Sequence, residues 1–208
     1  MYVPSHFEET DLGVLHALIR AQVLGAWVAP GEAELIVNHV PFLLDAERGG
    51  HGTLMAHVAR ANPVWQSFSR QQESVVVFQG PQGYISPSWY ASKQEHGKVV
   101  PTWNYAVVHA HGMPRVIDDP DWLLAHVSRQ TELQESKRGL PWRVSDAPRE
   151  FIDSMLKAIV GIEIPITRIV GKWKVSQNRP AADRLGVVAG LQARGDAAAQ
   201  EMARLVDR

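Results

Sequence analysis

The chain has 208 residues, 45% apolar and 21% charged, and its 21 Lys plus Arg stand against 22 Asp plus Glu for a net charge of −1. This is the make-up of one globular domain able to bury roughly 70% of its unfolded surface, and so even a balance gives no support to a basic nucleic-acid groove. Cysteine is absent, which excludes disulfides, thiolate zinc sites and cysteine nucleophiles and fits a reducing cytoplasm; with no apolar run near about 18 residues and no basic-then-apolar leader, neither a membrane span nor a signal peptide is expected.

In chain order, Thr10–Val23 predicts a helix, capped by Thr10 or Asp11, with Leu12, Leu15, Leu18 and Ile19 at helical spacing. Ala26–Ala29 reads as a short strand closed by Pro30–Gly31. Glu34–Leu44 reads as a longer β-branched strand, and Asp45–Gly52 as the hairpin loop before a strand at Thr53–Val58. Ala59–Ser69 suits a short helix or helical turn. Ser74–Gln79 is a strand; Pro81, Gln82 and Gly83 turn the chain before Tyr84–Ser86 continues it. Pro87–Val100 has no clear period and reads as loop. Thr102–His111 alternates strongly, with Trp103, Tyr105, Val107, His109 and His111 on one face and Asn104, Ala106, Val108 and Ala110 on the other. Asp119–Pro120 opens a helix with Asp as cap and Pro at its first position. Glu132–Val144 is polar and reads as loop. Ser145 or Asp146 opens another helix that turns Phe151, Ile152, Met155, Leu156 and Ile159 inward. Gly161–Ser176 is a strand pair or one long bent strand, punctuated by Pro165 and Gly171. Pro180–Arg208 is helical, broken near Gly195, with Asp196 as a fresh cap.

Six antiparallel strands with inserted and C-terminal helices describe an α+β domain built on a barrel, without the βαβ alternation of a Rossmann sheet. A single domain over 1–208 is expected, with 180–208 as its helical extension.

Several segments carry chemistry beyond core packing. Phe78–Gly112 crowds Tyr84, Trp89–Tyr90 and Trp103–Tyr105 among turn residues, the mixture that a planar polar cofactor needs. His57, Arg60 and Asn62 lie where a strand ends and a helical turn begins. Exposed N–H groups and a guanidinium at such a place suit a phosphate; the alternative is a surface charge and a turn residue before Pro63. Asn38–His39–Val40 puts a polar pair inside an apolar strand, where it either meets a ligand edge or is satisfied within the turn. Lys172, Lys174 and Ser176 alternate with Trp173, Val175 and Gln177, and Gln177–Asn178–Arg179 precedes Pro180. This basic edge either holds an anionic cofactor or protects an edge strand. His109 and His111 share a strand face, but no H-E-x-x-H or comparable ligand set accompanies them, so no metal site is expected. Nucleophile-elbow, P-loop and dinucleotide fingerprints are also missing, and no catalytic residue is assigned.

MYVPSHFEE, HVARANP, FQGPQGYISPSWY, GKVVPTWNYAVVHAHG, IVGIEI and GKWKVSQNRP occur in that order across nearly the whole chain. Together they resemble the PaiB-type family of FMN-binding negative transcriptional regulators. The resemblance implies a split β-barrel of the pyridoxamine-phosphate-oxidase-like kind, here six-stranded, and a homodimer with two FMN sites at the subunit interface. It places the phosphate near His57, Arg60 and Asn62, and the isoalloxazine along Asn38, His39 and Val40 and near Gln79. The partner subunit would add residues from Trp103–Asn104 or from Lys174–Arg179, Gln177 included. Related oxidases carry an Arg-Lys pair where this chain has Arg60–Ala61, and Lys172 or Lys174 is the substitute for the missing charge. The implied function is a cytoplasmic, FMN-binding homodimer acting in transcription regulation. The alternative is a flavin-dependent oxidoreductase using NAD(P)H or a small substrate.

Overall fold

The computed structural model describes residues 1–207. Arg208, the last residue of the expected C-terminal helix, lies outside them. The chain falls into two compact units. The first holds Met1–Gln22, Phe78–His109 and the chain from Val170 onward; the second holds Val23–Val77 and Ala110–Ile169.

In the second unit, β2 (Leu24–Pro30) and β3 (Leu35–Pro41) form an antiparallel hairpin, and β2 also pairs with Val75–Val77 of β6 (Ser74–Ile85). Strand β4 (Leu43–Asp45) pairs with β5 (Thr53–Ala59), and β5 pairs with residues 159–165 of β9 (Ile159–Lys174). The short β8 (Arg115–Ile117) joins β9 at Gly161–Glu163. Helices α2 (Val64–Ser67), α4 (Pro120–Glu135) and α5 (Arg149–Lys157) complete the unit. Trp27, Phe42, Leu54, Val76, Leu123, Ile162 and Ile164 are buried in it, each stabilising by about 1.5–3 kcal/mol if fully removed from water.

The first unit is built on α1 (Leu12–Ala21), whose start is fixed by Asp11. Its Oδ1 accepts from the N–H groups of Gly13 (2.8 Å) and Val14 (3.2 Å), satisfying donors that the first turn leaves open. Strand β1 (Glu8–Glu9) pairs with Gly171–Lys172 of β9. The unit also holds the later part of β6, most of β7 (Thr102–Gly112), and helices α3 (Ser92–His96), α6 (Ala181–Arg194) and α7 (Ala197–Val206). Leu15, Ile19, Phe78, Ile85, Val187, Leu191 and Met202 form its interior.

The hydrogen-bonded order is β3-β2-β6-β7-β9-β5-β4, with β1 and β8 attached to β9. The mixed architecture with an antiparallel sheet agrees with expectation. The strand count does not: the sheet has nine strands rather than six, and its path is open rather than closed. Pro41 splits the expected strand Glu34–Leu44 into β3 and β4, because proline cannot donate to a ladder. Strands β1 and β8 span two and three residues, too few to show a period. Of the two readings of Gly161–Ser176, a strand pair or one long strand, the second holds: β9 runs unbroken for 16 residues, Ile159–Lys174. The loop expected from Glu132 begins later, since α4 continues to Glu135. The stretch 87–100 contains a 3-10 turn and α3. Phe151 and Met155, expected inward, are 54% and 48% exposed on α5, whereas Leu156 is buried.

Candidate functional site

The second unit gathers one set of candidate residues. Period-two alternation on β3 turns Val40 into the core, leaves Asn38 half-buried on that same side, and directs His39 outward. Asn62, in the turn after β5, donates from Nδ2 to Asn38 Oδ1 at 2.8 Å, and its own Oδ1 accepts from Val64 N. The two asparagines thus form a fixed pair of amides. Arg60 lies in the same turn but is heavily engaged. Nε donates to Lys157 O (2.8 Å), Nη1 to Asp118 Oδ2 (3.1 Å), and Nη2 to Asp118 Oδ1 (2.6 Å) and Ile159 O (3.0 Å). One of its N–H groups is left for a ligand. The guanidinium hydrogen bonds hold the Asp118 carboxyl below its usual range.

His57 points toward α4. Its Nδ1 lies 3.2 Å from His126 Nε2, so the two rings share one hydrogen. Trp122 stacks on His126 with ring centroids 5.0 Å apart and planes 11° from parallel. Burial lowers the pKa of both histidines, and burial with the nearby His57 and Arg129 brings His126 to about 4. Trp122 Nε1 donates to Glu163 Oε1 (3.0 Å), and Arg48 binds both oxygens of Glu163, at 2.6 and 2.9 Å. That fork holds the buried Glu163 carboxyl below its ordinary pKa. Asp118, Trp122, His126 and Glu163 were not singled out from the sequence. Nothing local marks them, since each acquires its role from a residue far away in the chain.

The first unit gathers the other set. Lys174, at the end of β9, donates to Thr102 Oγ1 and to Trp103 O at 2.7 Å. Burial lowers its pKa, and the charges of Lys172 and Arg179 lower it further. Lys172 is buried, donates to Tyr2 O (3.1 Å) and lies over the rings of Tyr105 (5.3 Å) and Tyr2 (5.7 Å). Arg179 stands over the ring of Tyr90 at 4.8 Å. None of these three cations forms an ion pair among the described residues.

The turn that carries them is unusual. Ser176 has φ 66°, the left-handed region that non-glycine residues seldom occupy. Buried Asn104 steadies it by donating from Nδ2 to Ser176 Oγ at 2.8 Å. Gln177 closes the turn locally: its Oε1 accepts from Val175 N, and its Nε2 donates to Trp173 O. Trp103 is 49% exposed, with Nε1 donating to Gln82 Oε1 and Tyr84 edge-on at 6.2 Å. Gln79 lies exposed on β6. Among the described residues no cluster of three or more His, Asp or Glu is arranged to hold a metal ion.

Residues 1–168 match the sequence family described as "Putative FMN-binding domain". The chain belongs to that family. FMN is the cofactor this membership carries, and the residues fit such a group. The cation cluster suits a phosphate or other anionic end, and the exposed Trp103 indole beside it suits a flat ring. The chain is also similar to curated proteins along nearly their whole length. "Protease synthase and sporulation protein PAI 2" of Bacillus subtilis is 31% identical, over 100% of this chain and 97% of its own. "Uncharacterized protein AN0679" of Emericella nidulans is 33% identical, over 99% and 96%. Among solved structures, the flavocytochrome Anf3 of Azotobacter vinelandii shares the fold with a TM-score of 0.58 and 14% identity, over 83% of this chain and 72% of that one. No helix among the described residues is long and apolar enough to cross a membrane.

Proposed function

We propose that this chain is a cytoplasmic, homodimeric regulatory flavoprotein that holds FMN. The observation that carries the reading is the cation cluster Lys172, Lys174 and Arg179 beside exposed Trp103, in a chain of an FMN-binding family. Lys174 is charged against its surroundings, partly buried and repelled by two neighbouring cations. An anion placed there relieves that repulsion and gains charge-assisted hydrogen bonds. Asn104 and the strained Ser176 turn hold the cluster in shape, in keeping with strain kept where function needs it. In the other unit, the amide pair Asn38–Asn62 is a separate fixed donor and acceptor set. When bound, a flavin supplies one- and two-electron transfer, and the protein supplies orientation and electrostatics. The regulatory part of the reading draws on the printed name of the Bacillus subtilis relative, a protease-synthase and sporulation protein.

Flavin titration followed by fluorescence tests the site. Lys174→Met keeps the apolar stem and removes the charge, and it should weaken FMN binding by about 10- to 100-fold, the worth of one charge-assisted contact. An affinity within twofold of the parent would remove Lys174 from the site. Mixing the FMN-loaded protein with NADH or NADPH separates regulator from enzyme. A regulator shows no sustained turnover; continued oxidation of the nicotinamide assigns the chain to the oxidoreductases instead.

A further inference from the structure

The first unit has a second cavity that the cation cluster does not use. It is a groove of about 510 Å³ bounded by α1 and α7, and every residue that lines it belongs to that unit. Its apolar walls are Val14 and Leu18 of α1, Pro81 of β6, Trp173 of β9 and Leu205 of α7. Gly13, Ala17 and Ala21 recur every fourth residue of α1, so they share one helix face and leave the groove open along it. From Gly13 to Ala21 that face runs for about 12 Å. Alternation on β9 turns the buried Trp173 away from the side that carries Lys172 and Lys174. A long apolar slot with a few charged groups at its edge has the size and make-up of a small-molecule site.

We infer that this groove binds an elongated amphipathic amine, an apolar chain ending in a protonated ammonium group. Its charged side chains are Asp11, Glu201 and Arg204, two carboxylates against one guanidinium. Glu201 and Arg204 form no ion pair among the described residues. Asp11 caps α1 through Oδ1, which leaves Oδ2 to a ligand. The helices add to the negative side of this balance. Ala21 and Gln22 lie at the C-terminal end of α1, and Arg204 and Leu205 in the last turn of α7, where backbone carbonyls carry partial negative charge. The Trp173 indole adds a π surface that favours a cation over an anion. An aliphatic chain covers the walls, and the ammonium group meets the carboxylates. The site needs no residue of the cation cluster and stands apart from the flavin reading.

Isothermal titration calorimetry on the full chain without FMN tests this with three probes that share one tail: octylammonium, octanol and octanoate. Octylammonium should bind at least about 10-fold more tightly than octanoate, the worth of one hydrogen bond to a charged group. Glu201→Gln should weaken octylammonium at least about fivefold and leave octanol within about twofold of the parent. Ala17→Trp, at an exposed position of α1, fills the slot and should abolish the heat from all three probes while the circular-dichroism spectrum stays that of the parent. No heat from any probe up to millimolar concentration overturns the site. Octanoate binding as tightly as octylammonium overturns the ligand class. An Ala17→Trp variant that binds octylammonium like the parent puts the binding elsewhere and overturns the assignment. None of these results touches flavin binding, which the FMN titration above decides on other residues.

Discussion

His126 is held neutral by its surroundings. It is buried, stacked on Trp122, and shares a hydrogen with His57, and its pKa falls to about 4. In the unfolded chain it titrates near the ordinary value of about 6.5. Between those values the unfolded state binds the proton and the folded state does not, so stability falls as pH drops from 6.5 and levels off below 4. His126 alone should cost about 3 kcal/mol by pH 4 relative to pH 7.5, and His57, lowered in the same direction, adds to it. Urea unfolding across that range measures the slope, and His126→Gln should flatten it. The lowered carboxyl groups of Asp118 and Glu163 act further down. Their stabilisation is complete above the ordinary carboxylate range and is lost as pH falls through their folded values. A second single-residue test concerns Arg60, bound by a half-exposed Asp118. A phosphate that uses Arg60 must compete with that carboxylate, so Asp118→Asn should strengthen FMN binding by about two- to fivefold, the range of one exposed pair. Unchanged affinity would make Arg60 a clamp between the β5 turn and the start of β9.

Helix α6 is shaped by its two glycines. A Cβ on Gly190 would lie 2.3 Å from the Trp89 ring, and one on Gly186 would lie 1.9 Å from Trp89 O. The bare helix face lets the 3-10 turn at Pro87–Trp89 dock directly against backbone. Gly190→Ala should therefore cost at least about 1–3 kcal/mol through overpacking. Gly195, which ends α6, has φ 73° and open space around it. Gly195→Ala meets only the left-handed backbone penalty and should cost about 1 kcal/mol. Thermal unfolding of the two variants checks the order. Such end signals made much of the fold legible: Asp11, Asp119 and Asp196 each accept from a first-turn N–H, as their positions before helical patterns suggest. Strand continuity was harder to read. Pro81 sits inside β6 because β2 pairs with that strand only at Val75–Val77, and farther along β2 has no need of the missing N–H. The basic edge Lys172–Arg179 was visible as an alternation, whereas the burial of Lys172 and the bond between Asn104 and Ser176 required β7 beside the β9 turn. Pairs such as Arg60 with Asp118, 58 residues apart, and His57 with His126, 69 apart, leave no local trace.

A near-zero net charge over the whole chain leaves local potential to decide its partners. The cluster of Lys172, Lys174 and Arg179 neutralises few phosphates, so contact with DNA should be weak and disappear at physiological salt. A compact anion such as the FMN phosphate faces no such limit, because it occupies the cluster without demanding an extended groove. Binding to the folded chain alone then stabilises it by mass action. At 100 times its dissociation constant FMN adds about 2.7 kcal/mol, which for a protein of this length raises the unfolding midpoint by roughly 5–10 °C. Lys174→Met, examined at the same FMN concentration, should retain only about 1 kcal/mol of that gain, since its dissociation constant has risen toward the ligand level. If the chain is a homodimer, the midpoint also climbs with protein concentration, because dissociation accompanies unfolding. Scanning calorimetry over a protein dilution series, with and without FMN, reads both dependences. A midpoint indifferent to FMN would show that the cations of the β9 turn answer to some other anion.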